Sequence, residues 1–416
     1  MRCTALLRIR PLLAPALAAA VVAGLAAGCA STTPSPQSSS RSGAATSAAR
    51  RPAQVVFERE ADVSAVASPL DAAGREARER AYRDALARLR AERVEAADRN
   101  QPPTPAVLEA RAKGWGWLVD HLAADGIPRE RAARAFADPR MPPFDGLYFG
   151  LNPREPHAMY RHFLRADSVA RAQRCAETHA LGLAEAERVH GVDAAVVAAI
   201  LHVESACGRN TGRSMVLHRL ARLAMANEPR NVARNLARNT PRDGVIDPAV
   251  AERVRERARY LESVFYPQVV ATFEIADRNG IDPLSLRGSS AGAFGYTQFL
   301  PLNYIAFGTD GNGDGIVSLY DPDDAVASTA RFLRSYGWKR RMTRAEQREI
   351  VWHYNRSDAY IDAVLGLADR IRAAGTIEAA VAAARASSAN ARLAETAVGD
   401  DALVVPASAT GAAARR

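Results

Sequence analysis

Lysine is nearly absent from this chain of 416 residues, and both cysteine and aromatic residues are scarce. Lys113 and Lys339 are its only lysines, so arginine supplies almost all of the 55 basic residues, which outnumber 46 acidic residues and give a net charge of +9. The arginines are scattered among alanines and are not interleaved with aromatic residues, as a groove for single-stranded nucleic acid requires. We therefore expect no nucleic-acid binding, and four cysteines are too few for a disulfide-dense scaffold.

The sequence also lacks the alternation of strand and helix patterns, the glycine-rich phosphate loop and the paired histidines that mark other classes of enzyme. Apolar residues make up 48% of the chain, which is ordinary for a globular protein. From about Glu58 to Arg372 the apolar residues recur at helical spacing. The pattern predicts a mainly α fold.

Residues 1–29 are typical of a bacterial export signal. Three arginines precede an apolar stretch, which ends in small residues before Cys29. This ending resembles the lipoprotein box, in which the cysteine is lipidated and becomes the first residue. An uncleaved single-span anchor is the alternative, and either one places the rest of the chain outside the cytoplasm.

The remaining chain divides by composition. Residues 30–57 are rich in Ser, Thr, Pro and Ala and indicate a flexible tether. Residues 58–114 indicate a polar helical extension, residues 115–372 a compact domain, and residues 373–416 an Ala-rich, disordered tail.

A helical hairpin is the clearest local prediction, with helices at Ala166–His190 and Asp193–Ala206 and a turn at Gly191. Cys175 and Cys207 lie equally far from Gly191 along the chain. At about 1.5 Å rise per residue, both cysteines lie about 24 Å from the turn, so antiparallel helices bring them level. In an oxidising compartment we expect them to form a disulfide. Two buried thiols are the alternative.

Glu204 continues the apolar stripe of the second helix, at i, i+4 spacing from Val196 and Ile200. Burial would raise the pKa of this carboxyl, which suits a general acid near neutral pH. The ordinary alternative is a solvated glutamate, or one paired to Arg209.

Three segments in order, residues 199–212, 282–301 and 354–360, resemble motifs of the lytic murein transglycosylase B family. They contain the runs AILHVES, AGAFGYTQFLP and YNRS. The resemblance implies a lysozyme-like helical catalytic domain. It has two departures: an Arg-rich insertion at 227–262, and a shorter segment before Tyr354.

The resemblance also implies a chemistry. Family members cleave the β-1,4 bond between N-acetylmuramic acid and N-acetylglucosamine of peptidoglycan without water, and leave 1,6-anhydro ends. Glu204 matches the single catalytic acid, which then acts as the base, and no cofactor takes part in catalysis. The residues that match the sugar groove are Ser289, Tyr296, Gln298, Tyr354, Asn355 and Tyr360.

The run DGNGDGI, beginning at Asp310, is typical of the start of an EF-hand calcium loop. Position 12 is Asp321, where an EF-hand has glutamate, and the family resemblance suggests closure by Asp324 instead. We expect a structural Ca²⁺ ion, with a turn that binds no ion as the alternative. The candidate ligands are Asp310, Asn312, Asp314, the carbonyl of Ile316, and Asp324 or Asp321.

These features together predict a monomeric lytic transglycosylase that acts on peptidoglycan glycan strands from a lipid anchor. Ala30 follows Cys29 and is not an inner-membrane retention signal of the Asp type, so we expect the periplasmic face of the outer membrane. A hydrolytic muramidase and a non-catalytic wall-binding lipoprotein are the alternative functions.

Overall fold

The computed structural model describes residues 102–151 and 157–387. The predicted signal segment, the tether and nearly all of the polar extension lie outside the described residues. From Pro103 onward the described chain forms one compact unit of packed helices, which confirms the mainly α prediction.

The α-helices of the described residues are, in chain order, α1 (Pro105–Ala112), α2 (Gly116–Ala124), α3 (Arg129–Ala137), α4 (Ala166–Thr178), α5 (Ala180–His190), α6 (Ala194–Ser205), α7 (Val216–Ala224), α8 (Pro229–Asn239), α9 (Pro248–Asn279), α10 (Pro301–Phe307), α11 (Pro322–Ser335), α12 (Arg344–Tyr354) and α13 (Asp358–Ala374). Two 3₁₀ segments cover His157–Leu164 and Met225–Asn227. Two short antiparallel strands, β1 (Ser214–Met215) and β2 (Arg287–Gly288), pair with each other. None of the helices described is long and apolar enough to span a bilayer.

The compact unit begins earlier than the predicted boundary at residue 115. Helix α1 packs against α3, and its Val107 and Ala110 are buried. Trp115 follows, fully buried against the ring of Phe136, and its indole N–H donates to the carbonyl of Pro142 at 3.0 Å. A buried apolar side chain of this size contributes about 1.5–3 kcal/mol, so α1 and the residues after it belong to the core.

The structure describes the first part of the predicted tail, from residue 373 to residue 387. Residues 376–387 are helical, and Ile377 is buried in the core. The rest of the tail lies outside the described residues.

Helix α6 is the central helix of the core. Every residue from Ala194 to His202 is buried, and α4, α5, α11 and α13 all pack against it. Its first turn is capped by the carboxylate of Asp193, which accepts from the backbone N–H of Ala195 at 2.9 Å. A helix that is apolar all round is stable only inside a protein, which explains its position.

The first arm of the predicted hairpin is two helices and not one. Helix α4 ends at Thr178 and α5 begins at Ala180, and His179 between them has φ −106° and ψ 20°. No glycine or proline marks this break in the sequence. The turn at Gly191 is as predicted, with a positive φ of 65° that favours glycine.

The Arg-rich segment 227–262 is integrated into the compact unit as α8 and the first half of α9. Asn231 and Asn235 are buried. The N–H of Leu147 donates to Oδ1 of Asn231, and Nδ2 of Asn235 donates to the carbonyl of Leu147, both at 2.8 Å. This contact holds the backbone at Leu147 against α8.

Candidate active site

Glu204 lies on the last turn of α6, where the buried helix reaches an open cleft of about 480 Å³. Burial raises the pKa of its carboxyl to about 7. The phenol of Tyr360, on α13, donates to Glu204 Oε1 at 2.7 Å and lowers this pKa, but less than burial raises it. Protonated and ionised forms of this side chain therefore both occur near neutral pH.

The cleft brings together five of the six predicted groove residues with Glu204. Its polar lining is formed by Ser289, Gln298, Tyr354, Asn355 and Tyr360 together with His162, Asn210, Arg213, Ser214, Ser290 and Asn303. Glu204 is the only carboxylate among the described residues that line it. The site thus combines one protonatable acid with hydroxyl, amide and aromatic groups.

Tyr296 is the predicted groove residue that the structure places elsewhere. Its ring lies under the turn after α6, against Gly208 and edge-on to His179 at 6.2 Å. A Cβ at residue 208 would overlap this ring, so glycine there leaves the space that Tyr296 fills. Tyr296 supports the turn and is not among the described residues lining the cleft.

Strands β1 and β2 join the segment after Glu204 to the groove motif. Gly212 lies directly against the backbone of Gly288, and Ser289 follows at the cleft, where its hydroxyl accepts from Ala293 N–H at 3.2 Å. Gln298 has a left-handed φ of 48°. Its amide N–H₂ donates to the carbonyls of Thr211 and Gly295, at 3.2 and 2.8 Å. Backbone contacts therefore fix the position of this wall.

The opposite wall is formed by the end of α12 and the start of α13. The phenol of Tyr354 donates to the carbonyl of Thr297 at 2.6 Å, and burial raises its pKa well above the usual 10. Asn355 donates from Nδ2 to the phenol oxygen of Tyr160 at 3.4 Å. Its Oδ1 is buried and has no hydrogen-bond partner among the described residues.

Tyr160 and its neighbours Met159, His162 and Phe163 in the 3₁₀ segment also line the cleft, and no sequence motif predicted them. The ring of Tyr160 meets that of Tyr360 edge-on at 5.5 Å. The only signal in the sequence is a cluster of aromatic and histidine residues without helical spacing. Such a cluster does not reveal which distant helix it packs against.

A disulfide joins Cys175 of α4 to Cys207, with their Cα atoms 6.2 Å apart. Nearby, His202 of α6 is buried, and its Nε2 lies 2.9 Å from the hydroxyl of Ser168. Burial lowers the pKa of His202 to about 4, so this imidazole is neutral at physiological pH. Helix α4 therefore contacts the end of the Glu204 helix at two points.

In the predicted calcium loop, aspartate carboxylates accept hydrogen bonds from backbone N–H groups. Asp310 accepts from the N–H groups of Gly313 and Gly315, at 2.7 and 2.8 Å. Asp324, on α11, is buried and closes the loop by accepting from Gly311 N–H at 2.8 Å and from Ser318 N–H at 2.6 Å.

Asp321 instead caps α11, accepting from the N–H of Asp323 at 2.9 Å. The described residues contain no group of three acidic, histidine or cysteine side chains at metal-binding spacing. The donor chemistry still suits Ca²⁺, because the loop offers only oxygen ligands and its Asp310, Asp314 and Asp324 form no ion pair among the described residues.

A helical protein with a single carboxylate in a cleft of hydroxyl, amide and aromatic groups has a site suited to a ligand that both hydrogen-bonds and stacks on rings. Residues 111–350 match the family model described as the transglycosylase SLT domain, and the chain belongs to that family. The family membership expected from the three motifs is confirmed.

The chain is 31% identical over 157 residues to membrane-bound lytic murein transglycosylase B of Escherichia coli K12. The match covers 38% of this chain and 35% of that relative, so the chain spans about a third of the length of the curated protein it matches.

Solved structures similar to this one include the soluble lytic transglycosylase SltB1 of Pseudomonas aeruginosa, at 24% identity and a TM-score of 0.48, covering 62% of this chain and 98% of that one. The lytic transglycosylase Slt35 of Escherichia coli in complex with calcium is 20% identical, with a TM-score of 0.46 and coverage of 64% and 93%.

Proposed function

We propose that this protein is a peptidoglycan lytic transglycosylase, which cleaves the bond between N-acetylmuramic acid and N-acetylglucosamine and leaves 1,6-anhydro ends. One observation carries the proposal: Glu204 is the only carboxylate among the described residues lining the cleft, and its pKa is raised to about 7. Hydrolytic glycosidases usually place two carboxyl groups about 5–9.5 Å apart across the bond. A single acid suits a reaction in which the sugar supplies its own nucleophile.

The chemistry of Glu204 follows from its two protonation states. The protonated carboxyl donates its proton to the glycosidic oxygen as the bond to C1 of the muramic acid breaks. The resulting carboxylate then accepts the proton of the C6 hydroxyl, whose oxygen closes onto C1. Glu204 ends the cycle protonated, as it began, and no water is consumed.

The neighbouring groups hold this carboxyl in place. The hydrogen bond from Tyr360 to Oε1 leaves Oε2 to carry the transferred proton and stabilises the carboxylate formed midway.

Product analysis tests the proposed function. Purified sacculi would be digested with the protein, and the soluble products separated by chromatography and weighed by mass spectrometry. We expect anhydro ends. Reducing ends would establish the hydrolytic muramidase instead, and binding to sacculi without released products would establish a non-catalytic wall-binding protein.

Tyr360→Phe is expected to shift the pH dependence of activity. The reaction needs protonated Glu204, so wild-type activity falls as pH rises through about 7. The Tyr360 hydrogen bond lowers the pKa of Glu204, so its loss raises that pKa and moves the fall to higher pH. The rate at the optimum should drop about 10- to 100-fold, because a hydrogen bond to a charged group contributes about 1.5–3 kcal/mol and about 1.36 kcal/mol is a factor of ten.

Rates of product release from sacculi between pH 4 and 9 would measure both effects. Tyr304→Phe is the matched control, since it removes a phenol that bonds Asn279 and the carbonyl of Val317, away from the cleft. An unchanged pH profile in Tyr360→Phe would contradict the role of this hydrogen bond.

We further propose that the Asp310 loop binds a structural Ca²⁺ ion. Asp310, Asn312, Asp314, the carbonyl of Ile316, and Asp324 would hold the ion. The role of Asp321 as the cap of α11 favours Asp324 over Asp321 as the closing ligand. The ion would cross-link the loop to α11 through buried Asp324 and would supply no step of the reaction.

Calcium at a hundred times its dissociation constant is expected to raise the melting temperature by about 5–10 °C, since such binding stabilises by about 2.7 kcal/mol. Differential scanning calorimetry with and without the ion measures this shift. Asp310→Ala should abolish it, whereas Asp243→Ala, which removes a comparable loop aspartate elsewhere, should leave it intact. Equal shifts in both variants would exclude the loop as the site.

We also propose a monomer that is exported and anchored by lipidated Cys29 to the periplasmic face of the outer membrane. Support comes from the positive, apolar and small-residue order of residues 1–29. Cys29→Ala should move the protein from the membrane to the soluble fraction and abolish labelling by a radioactive fatty acid. Cys3→Ala is the matched control, and a Cys29→Ala protein that stays in the membrane would indicate an uncleaved anchor.

A further inference from the structure

The chain directly after Glu204 adopts a backbone conformation that most residues avoid. Ala206, Cys207 and Gly208 have φ values of 51°, 56° and 76°, all in the left-handed region. Two of these three carry a Cβ, for which that region is unfavourable. Consecutive left-handed residues of this kind persist only where the surroundings hold them.

The contacts that hold this turn come from two sides. On the groove side, the hydroxyl of Ser205 lies 2.9 Å from both the N–H of Gly208 and the carbonyl of Tyr296. On the other side, the disulfide ties Cys207 to Cys175 in the last turn of α4. The disulfide is the only covalent restraint on the turn within the described residues.

Glu204 is one residue from the end of α6, so its direction depends on this turn. The backbone N–H groups of Ala206 and Cys207 bond back to the carbonyls of His202 and Leu201, at 2.9 and 3.0 Å. If the turn relaxes, these two bonds open and the last turn of α6, which carries the acid, frays.

We infer that the Cys175–Cys207 disulfide is a positioning element of the active site, which holds the turn after α6 so that Glu204 stays against Tyr360. This inference rests on the proposed function of Glu204. It also means that activity depends on an oxidising compartment, because a reducing compartment would break the disulfide and release the turn.

The experiment compares wild type with the full-length double variant Cys175→Ser/Cys207→Ser, by the rate of muropeptide release from sacculi between pH 4 and 9. We expect kcat to fall about tenfold or more with KM changed less than twofold, since small displacements of a catalytic group cost rate and not binding. The fall of activity with rising pH should move to lower pH, because a freed Glu204 is better solvated and its pKa declines toward that of an ordinary carboxyl.

The pH profile can be assigned to Glu204 because the other titratable and charged groups around it are known. The titratable and charged groups that face it are Tyr360 on α13, Tyr354 on α12, Tyr160 and His162 on the 3₁₀ segment, and Arg213 after the turn. The double variant leaves all of them in place. A merely destabilising change elsewhere would not move the profile, and Phe136→Leu in α3, which loosens the core away from the cleft, is the control for this.

Reduction provides the second arm and avoids any failure of the variant to fold. Dithiothreitol is oxidised to its cyclic disulfide, and the Cys175–Cys207 bond takes up two electrons and two protons to become two thiols. Reduced wild type should match the double variant in kcat and pH profile, recover on reoxidation, and leave the double variant unaffected by the reagent. Circular dichroism would confirm that the helices persist.

The outcomes separate this inference from the proposed function. Anhydro products from wild type together with an unchanged kcat and pH profile in the double variant and in the reduced protein would overturn the positioning role alone. Full activity of Glu204→Gln would overturn the proposed function first.

Discussion

Glu204→Gln is expected to lower the release of muropeptides from sacculi by about 10³-fold or more. A positioned acid–base group contributes about 10²–10⁴-fold, and here one side chain performs both proton transfers. Glutamine keeps the shape of the side chain and can still accept from the phenol of Tyr360, but it has no proton to give at this pH. Chromatographic assay of the soluble products measures the loss.

The same variant should bind sacculi as wild type does in co-sedimentation, because the other groups lining the cleft are unchanged. Glu204→Asp is an intermediate variant, since it retains a titratable carboxyl but places it one methylene further from the substrate. We expect it to keep more activity than the glutamine variant. Substantial turnover in Glu204→Gln would show that another group supplies the proton.

Gly212→Ala is expected to lower the free energy of unfolding by about 3 kcal/mol or more and to abolish activity. Gly212 has φ 87°, and a Cβ there would overlap the backbone carbonyl of Gly288 and the N–H of Ser289. The overlapped atoms belong to the backbone of β2, which cannot move aside as the end of a flexible side chain can. Strands β1 and β2 would therefore separate. Their separation displaces the cleft wall that carries Ser289.

Gly244→Ala is a closely matched control. Gly244 has φ 84°, but no atom lies within 4 Å of the position that a Cβ would take. Gly244→Ala therefore places alanine in a left-handed conformation without any steric overlap. We expect it to lower the free energy of unfolding by about 1–2 kcal/mol. Urea unfolding followed by circular dichroism would compare the two, and equal losses would contradict a special role for the approach of Gly212 to Gly288.

The break at His179 shows the limit of reading helices from local pattern. Gly182 lies three residues after the break, but it falls inside α5 and does not mark where α4 ends. Both helices pack against α6, but α4 also packs against α13 and the 3₁₀ segment, whereas α5 packs against α11. These partners are distant in the sequence, so the local pattern does not reveal them.

Tyr296 shows a related limit at the site. Its motif places it beside groove residues in the sequence, but the chain turns sharply at Gly295 and at Gln298, both with positive φ. Tyr296 and Gln298 therefore face different surroundings. The free space at Gly208, 88 residues earlier in the chain, decides where the ring goes.

The sequence by itself determined the helical class and the placement of a carboxylate on an apolar stripe, because these depend on spacing within a few helical turns. The family followed from the resemblance of three motifs. Only the tertiary structure decided that Tyr360, 156 residues away, bonds Glu204, and that Tyr160 joins them. It also decided the balance that brings the pKa of Glu204 to about 7, in which burial outweighs the hydrogen bond. Desolvation depends on every atom packed around a group, and those atoms come from helices far apart in the chain.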